Sequence, residues 1–441
     1  MANISSPSDQ EPTLNTGAPV PVAIEYVQGQ LHELWRHVAE AAQAKGGAHA
    51  VTTAQVLNLI VHAASHEAAN EYASDIALLV GKHPSRVITM VNDPKETEMP
   101  VQAWVSISCQ VPPAGGRQVC CEQISVSAGG DAVRQIPAAI IPLLMTELPV
   151  FLWWPQGAPF DDYLFRTLSA SLDRLMVDST TFENPEGTLA TMSDLLKAEW
   201  PNISYTDMSW GRLTRWRELI AQFFDGPSLR PYLDRINNIS IRFALSQRGG
   251  VNRAQALLLA GWLASRLGWQ PANPVYELIR SEQRGHSAAR LSLRAGSRPI
   301  TLMLHPGPWQ GDIPGEINSV VLEVLPDDAQ EGSTPTPEAR FTVALSDKED
   351  ECAWTCVELQ GVEQTIWHVQ MDTLRRVDLL DEELEVFSRD KVYEEALETA
   401  GLFIRGTTQD TMSIQPPRRV PTGEPMSAGA RRNRPQLSTE S

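Results

Sequence analysis

Apolar residues recur along this chain at two spacings. Between Tyr26 and Ala44 they fall three and four apart, with Val27, Leu31, Leu34 and Val38 on one face, which predicts a helix ended by Gly46 and Gly47. Ala54–Ala63 reads as a buried strand, and Ser65 is placed to cap a helix running to about Val80, with Glu67 in its first turn. Pro84 marks a turn before a second buried strand, Arg86–Val91. Val101–Val111 and Gln118–Ser127 alternate on either side of Pro112–Gly116, which predicts a hairpin. Asp131–Met145 reads as helical despite its prolines, Pro149–Trp153 as a strand, Phe160–Ser169 as a helix and Arg174–Asp178 as a strand. Strands alternating with helices imply a mostly parallel sheet covered on both faces.

The second half has a different rhythm. Ser209–Phe224 is strongly amphipathic, Asn238–Leu245 reads as a strand and Asn252–Leu267 as a helix rich in Ala and Leu. Seven β runs follow: Val275–Glu282, Ala289–Ala295, Ile300–His305, Ser319–Leu325, Phe341–Leu345, Cys356–Leu359 and Thr365–Val369. Leu380–Phe403 reads as one final helix, with Leu380, Leu384, Phe387, Ala396 and Ala400 facing a core. The expected fold class is an α/β N-terminal domain with a mixed, mostly parallel sheet, then a β-rich α+β C-terminal domain, between disordered termini. The expected boundaries are 1–20 disordered, 21–195 N-terminal domain, 196–404 C-terminal domain and 405–441 disordered tail.

Charge narrows the function classes. The 441 residues carry 36 Lys and Arg against 54 Asp and Glu, a net charge of -18, which disfavours nucleic acid as a partner. The polar start does not read as a signal peptide, and the most apolar stretch, Ile136–Trp154, contains Pro137, Pro142, Glu147 and Pro149, so it is a poor membrane span. A cytoplasmic protein is expected. Five cysteines, Cys109, Cys120, Cys121, Cys352 and Cys356, are too few and too irregular for a disulfide scaffold, and reduced thiols are expected. Cys120 and Cys121 are adjacent, would point to opposite faces of a strand, and read as inert.

Candidate chemistry is sparse. Neither a GxxxxGK[ST] loop nor a GxGxxG turn after a strand is present, so no nucleotide cofactor is expected. His62 and His66 have zinc-pair spacing, but one falls in a strand and the other in the following helix, so a structural role outweighs metal binding. Gly285–Ala289 resembles a serine nucleophile elbow, yet it joins two strand-like runs and reads as a hairpin turn. Trp210, Arg212, Trp216 and Arg217 gather the residue types favoured at protein interfaces, and the same pattern suits core packing under a charged face. Cys352 and Cys356 read as a redox pair or as two ordinary buried thiols, since four-residue spacing needs a bend to bridge.

Several segments together resemble the OpcA family of glucose-6-phosphate dehydrogenase assembly proteins. They are Lys82–Arg86, Val119–Ile124, Leu148–Pro155, Leu175–Ser179 and Trp210–Leu219, in that order, and Ser388–Glu394 looks like the C-terminal helix of the longer members from photosynthetic bacteria. The resemblance implies a non-catalytic regulator that binds glucose-6-phosphate dehydrogenase, favours its active oligomer and raises its activity. It implies no catalytic residues, metal or cofactor. The photosynthetic branch further implies a thiol change driven by thioredoxin, for which Cys352 and Cys356 are the pair close enough in sequence. The alternatives are a redox-responsive scaffold acting through that pair and an enzyme of sugar-phosphate metabolism.

Overall fold

The computed structural model describes residues 13–406 apart from 45–50, 53–54, 112–117, 199, 281–285, 311, 327–334, 347–351 and 372–373. The expectation for the tail beyond 406, and the turn at Pro112–Gly116, lie outside these residues. Ten strands form the first sheet: β1 (Thr13–Thr16), β2 (Val20–Val22), β3 (Val51–Thr52), β4 (Leu57–Ala63), β5 (Ser85–Val91), β6 (Gln102–Val111), β7 (Gln118–Ser127), β8 (Val150–Trp154), β9 (Arg174–Val177) and β10 (Ser204–Asp207). Their order is β1-β6-β7-β5-β4-β8-β9-β10, with β2 also on β6 and β3 on β7. Pairing is parallel from β7 through β10 and antiparallel at β6–β7.

The central strands are apolar on both sides because both faces are covered. Leu59 and Val61 of β4 pack under α2 (His66–Val80), while Ile60 joins the core on the opposite face. Ser65 caps α2 as the sequence predicts, accepting a hydrogen bond from the Ala68 amide at 3.1 Å. Helices α1 (Val27–Ala44), α3 (Ile136–Ile140) and α4 (Tyr163–Leu168) flank the same sheet. The predicted helix at Asp131–Met145 breaks into 3-10 turns on either side of α3, since Pro137 and Pro142 each lack an amide donor. Residues 13–16 and 20–22, assigned largely to a disordered start, instead add β1 and β2 to the exposed ladder of β6. Backbone pairing at a sheet edge needs no apolar side chain, and Pro19 and Pro21 are tolerated there.

The second sheet contains β11 (Asn238–Leu245), β12 (Gln270–Arg280), β13 (Ser287–Ala295), β14 (Arg298–Gln310), β15 (Ile317–Val324), β16 (Ala339–Leu345), β17 (Cys352–Leu359) and β18 (Thr365–Gln370). Its order is β12-β13-β14-β11-β15-β16-β17-β18, antiparallel except for β11–β14. One face is core: Ile239, Ile241, Leu302, Leu304, Leu322 and Phe341 are buried. The other face stays partly open. In β15, Val320, Leu322 and Val324 are buried while Val321 and Glu323 are half-buried.

The remaining helices tie the sheets together: α5 (Pro185–Ala198), α6 (Met208–Arg212), α7 (Thr214–Gln222), α8 (Arg230–Leu233), α9 (Ala254–Leu267), α10 (Arg376–Glu385) and α11 (Lys391–Arg405). Two elements expected as single helices are pairs. The stretch Ser209–Phe224 divides at Leu213, and Leu380–Phe403 divides before Asp390, whose carboxylate caps α11 by accepting from the Val392 and Tyr393 amides at 2.9 and 3.0 Å. Helix α11 packs on α9 through small residues: a Cβ at Gly261 would lie 2.2 Å from the carbonyl oxygen of Ala396.

Candidate functional site

The carboxyl ends of β9 and β10 are where ligand sites form in parallel sheets, because the loops leaving them open a crevice. Asp178, just past β9, receives both terminal nitrogens of Arg212 at 2.9 Å, and both side chains are largely buried. The fork geometry makes this a directional ion pair that fixes where α6 ends. Asp207, at the end of β10, accepts from the amides of Ser179 at 3.0 Å and Ser209 at 2.9 Å. Burial, and then the neighbouring Asp178, push its carboxyl up to about 6. Asn252 reaches the same turn, donating to the carbonyls of Ser179 and Thr180 at 3.1 Å, while its Oδ1 accepts from the Ala254 amide at the start of α9. Next to this network lies a cavity of about 720 Å³, whose wall includes Arg212, Trp216, Gln255, Glu316, Cys352 and Glu382.

Of the two readings of Trp210, Arg212, Trp216 and Arg217, a partner surface or core packing, burial favours core packing. Trp210 and Trp216 are only 4% and 3% exposed. The Trp210 indole donates to Asp390 Oδ2 at 2.8 Å, and the Arg217 guanidinium lies 3.6 Å over the same ring. Burial pushes Arg217 down to about 10. Arg217 also donates to Thr214 Oγ1 at 2.9 Å. These four side chains therefore join elements inside the molecule; only Arg212 and Trp216 reach the cavity wall. The apolar spacing of Ser209–Phe224 left both readings open, because an interface helix and a clamped internal helix share one periodicity.

Among the cysteines, the departure from the expected reduced thiols is at Cys109 and Cys120. Cys352 and Cys356 sit four residues apart on the extended strand β17, so their Cα atoms are about 13 Å apart and no bridge forms there. Gln364 donates to the Cys356 sulfur at 2.9 Å. Cys109 is instead bonded to Cys120, the residue directly opposite it in the β6–β7 ladder. Cys121 remains a buried thiol, and burial pushes it up to about 11.

His62 and His66 fall on β4 and α2, as expected, and do not converge. His62 stacks on Trp154 with ring centroids 3.6 Å apart and meets Asn92 Oδ1 at 2.8 Å; burial lowers it to about 4. His66 faces Glu96 at 3.6 Å. Ser287 opens β13 antiparallel to β12, so the Ser287–Ala289 part of the elbow-like segment belongs to a strand pair, not a strand-to-helix turn; Gly285 lies outside the described residues. Among the described residues no group of three or more His, Cys, Asp or Glu is placed to hold a metal ion, and no helix is long and apolar enough to cross a membrane.

Two family models match the chain in succession. The model described as the glucose-6-phosphate dehydrogenase subunit N-terminal domain covers residues 77–194, and the corresponding C-terminal domain covers residues 203–397. The chain belongs to the OpcA family of glucose-6-phosphate dehydrogenase subunit proteins. It is 30% identical over 342 residues to the OxPP cycle protein OpcA of Nostoc punctiforme, covering 75% of this chain and 67% of that one. It is 26% identical over 340 residues to OpcA of Synechococcus elongatus, covering 75% and 70%. Against OpcA of Synechocystis it is 30% identical over 333 residues, covering 72% of this chain and 63% of the relative. The chain thus spans about two thirds of the length of these OpcA proteins. Among solved structures, a mutant of the 3-ketoreductase KijD10 from Actinomadura kijaniata overlaps with a TM-score of 0.44 at 10% identity, covering 80% of this chain and 97% of that one. An oxidoreductase from Sinorhizobium meliloti gives 0.40 at 10% identity, covering 80% and 96%. Overlaps this loose bear on neither activity nor ligand.

The segments that carry the OpcA resemblance are those the structure ties together. Leu175–Ser179 meets Trp210–Leu219 through Asp178 and Arg212, and Trp210–Leu219 meets Ser388–Glu394 through Trp210 and Asp390. Lys82 and His83 both reach Asp381 of α10. Arg86 pairs with Glu122 at 2.6 Å, and the second oxygen of Glu122 accepts from the Trp35 indole at 2.7 Å. Much of the OpcA signature is therefore a set of joints between distant elements.

Proposed function

We propose that this chain is a non-catalytic assembly subunit of glucose-6-phosphate dehydrogenase, which binds the enzyme, favours its active oligomer and raises its activity. The observation that carries this reading is the ordered match of the two dehydrogenase-subunit models across 77–194 and 203–397. An activator without chemistry of its own acts by binding one state of its target more tightly than another. A tenfold shift takes only about 1.4 kcal/mol of differential binding.

The contact surface in this reading is the open face of the second sheet. Along it the register lines up Met303, Ser240, Val321, Thr342, Cys356 and Ile366 in one row over six adjacent strands, with Ile366 exposed, Met303, Ser240 and Val321 half-buried, and Thr342 and Cys356 buried. Some charges on this face are paired, Arg340 with Glu323 and Glu358, and Arg290 with Glu277, while Arg242 is exposed. An uncharged row beside charged residues is compatible with the anatomy of a protein interface. The test is co-elution with purified dehydrogenase. Wild type should shift the enzyme's elution, and Val321→Arg should abolish the shift while melting like wild type. An unaltered shift with Val321→Arg removes this face from the account.

A further inference from the structure

The last strand of a sheet has a row of backbone groups without a ladder partner, and such edges are normally blunted because they recruit other chains. Three of the four sheet ends here carry blunting devices. In the first sheet β1 and β2 are only four and three residues long, with Pro19 and Pro21 beside them, and β10 is buried along its whole length. In the second sheet β12 contains Pro271, Pro274 and the charged Glu277, and its register is broken between Pro271 and Tyr276. The fourth end, β18, has none of these. Its sequence, Thr-Ile-Trp-His-Val-Gln, holds no Pro, Gly, Lys, Arg, Asp or Glu and consists mostly of the β-branched and aromatic residues that favour strands. All six residues are exposed except the half-buried Val369, and Ile366 and Trp367 stand 50% and 49% open. Among the described residues β18 pairs with β17 alone.

Charge and register both point to a second copy of the chain as the occupant. Each chain carries a net charge of -18, so two copies repel wherever acidic surface meets acidic surface, and β18 offers them a stretch with no formal charge. The strand is also complementary to itself. A two-fold axis perpendicular to the sheet gives antiparallel pairing and keeps every side chain on its own face, so the axis must pass through a residue. An axis at His368 sets Trp367 opposite Val369 of the second copy, twice over, and Ile366 opposite Gln370 of the second copy. Aromatic against β-branched is a favourable cross-strand pair, and it covers the half-open indole. The same axis leaves Glu363 outside the paired stretch. Pairing over Ile366–Gln370 adds about five backbone hydrogen bonds.

We propose that β18 pairs with β18 of a second copy of this chain, antiparallel about a two-fold axis at His368, so that two eight-stranded sheets become one continuous sheet across a dimer. A single strand pair buries well under the ~800 Å² per partner of a standard interface, so the dimer is weak and forms with rising concentration. The contact uses the outer edge of the sheet and leaves its open face uncovered. The inference does not rest on the assembly reading, and its test needs this chain alone.

The full chain is followed by sedimentation velocity over a concentration series, and its mass is expected to climb from one chain toward two. His368→Lys sets two ammonium groups opposite each other at the axis, where like charges destabilise a strand pair. It should weaken self-association at least tenfold while melting like wild type. His368→Cys, in a Cys352→Ser background, reads the register independently. Side chains directly opposite have Cβ atoms about 4.5–5.5 Å apart, so mild oxidation should link the two copies through this position. Thr365→Cys in the same background should stay unlinked, since six residues of offset hold its two positions ~20 Å apart. A chain that stays monomeric at every concentration overturns the proposal and leaves the edge to a strand of another protein. Self-association undiminished in His368→Lys, or linking of Thr365→Cys as readily as His368→Cys, overturns it equally.

Discussion

Gly261→Ala tests whether the close seam between α9 and α11 holds the molecule together. The added Cβ would lie 2.2 Å from the Ala396 carbonyl oxygen and 3.1 Å from the Ala400 amide nitrogen. Ordinary van der Waals separation is about 3.5 Å, so the helices must part by roughly 1 Å. The obstacle is backbone and no rotamer change relieves it, which places the cost at the upper end of the ~1–3 kcal/mol seen for overpacking. Parting the helices also loosens the contacts of Ala260, Ala264 and Ala400, which are fully buried. Ala instead of Gly in a helix interior returns about 1 kcal/mol. The net expectation is a loss of about 2 kcal/mol, read as a lower urea midpoint at unchanged slope by circular dichroism. Gly296→Ala is the control: its φ of 61° strains any side chain, but nothing lies within 4 Å of the added carbon. It should cost only about 1 kcal/mol, from backbone conformation alone. A Gly261→Ala protein as stable as wild type, or more stable, would refute the reasoning, since the helix-propensity gain would then act unopposed.

The Asp207 carboxyl is held at about 6, above its ordinary value, so the folded state binds its proton more tightly than the unfolded chain does. The stabilisation is complete below pH ~4 and is lost as pH rises through about 6, a fall of about 3 kcal/mol. Asp207→Asn should lack this fall; parallel stability curves for the two proteins from pH 4 to 7 would contradict it. For the thiols, alkylation without reductant should label the half-buried Cys352 first and leave Cys109 and Cys120 unlabelled until they are reduced, with Cys121 slow because burial pushes it up to about 11. A Cys352–Cys356 bond found by mass spectrometry in the native protein would contradict the strand geometry.

The fold was legible wherever one spacing dominated. Continuous apolar runs marked the central strands β4, β5 and β8, and Ser65 announced α2 through its capping side chain. The strand β10, Ser-Tyr-Thr-Asp, was missed because its residues are polar yet fully enclosed, so no hydrophobic signal marks it. The divisions at Leu213 and before Asp390 come from tertiary contacts, in which Arg212 is drawn to Asp178 and Asp390 serves as both a cap and the acceptor of Trp210. The Cys109–Cys120 bond had a usable signal. Val111 and Gln118, the predicted inner ends of the hairpin, are equidistant from its centre, which already places Cys109 opposite Cys120. The cavity groups had almost none. Gln255 is one polar residue in an Ala- and Leu-rich helix, and Glu316 one carboxylate in a loop, and only the fold brings them to a common space.

The central claim is that this chain acts on glucose-6-phosphate dehydrogenase without catalysing its reaction. It is tested most directly by sedimentation velocity and initial rates on the same samples, with the dehydrogenase held constant and this chain titrated past equivalence. The account predicts that the enzyme moves to a larger species, that its rate rises in proportion to that species, and that this chain alone gives no rate. A saturating titration that leaves sedimentation and rate unchanged, or dehydrogenase activity from this chain by itself, would contradict it.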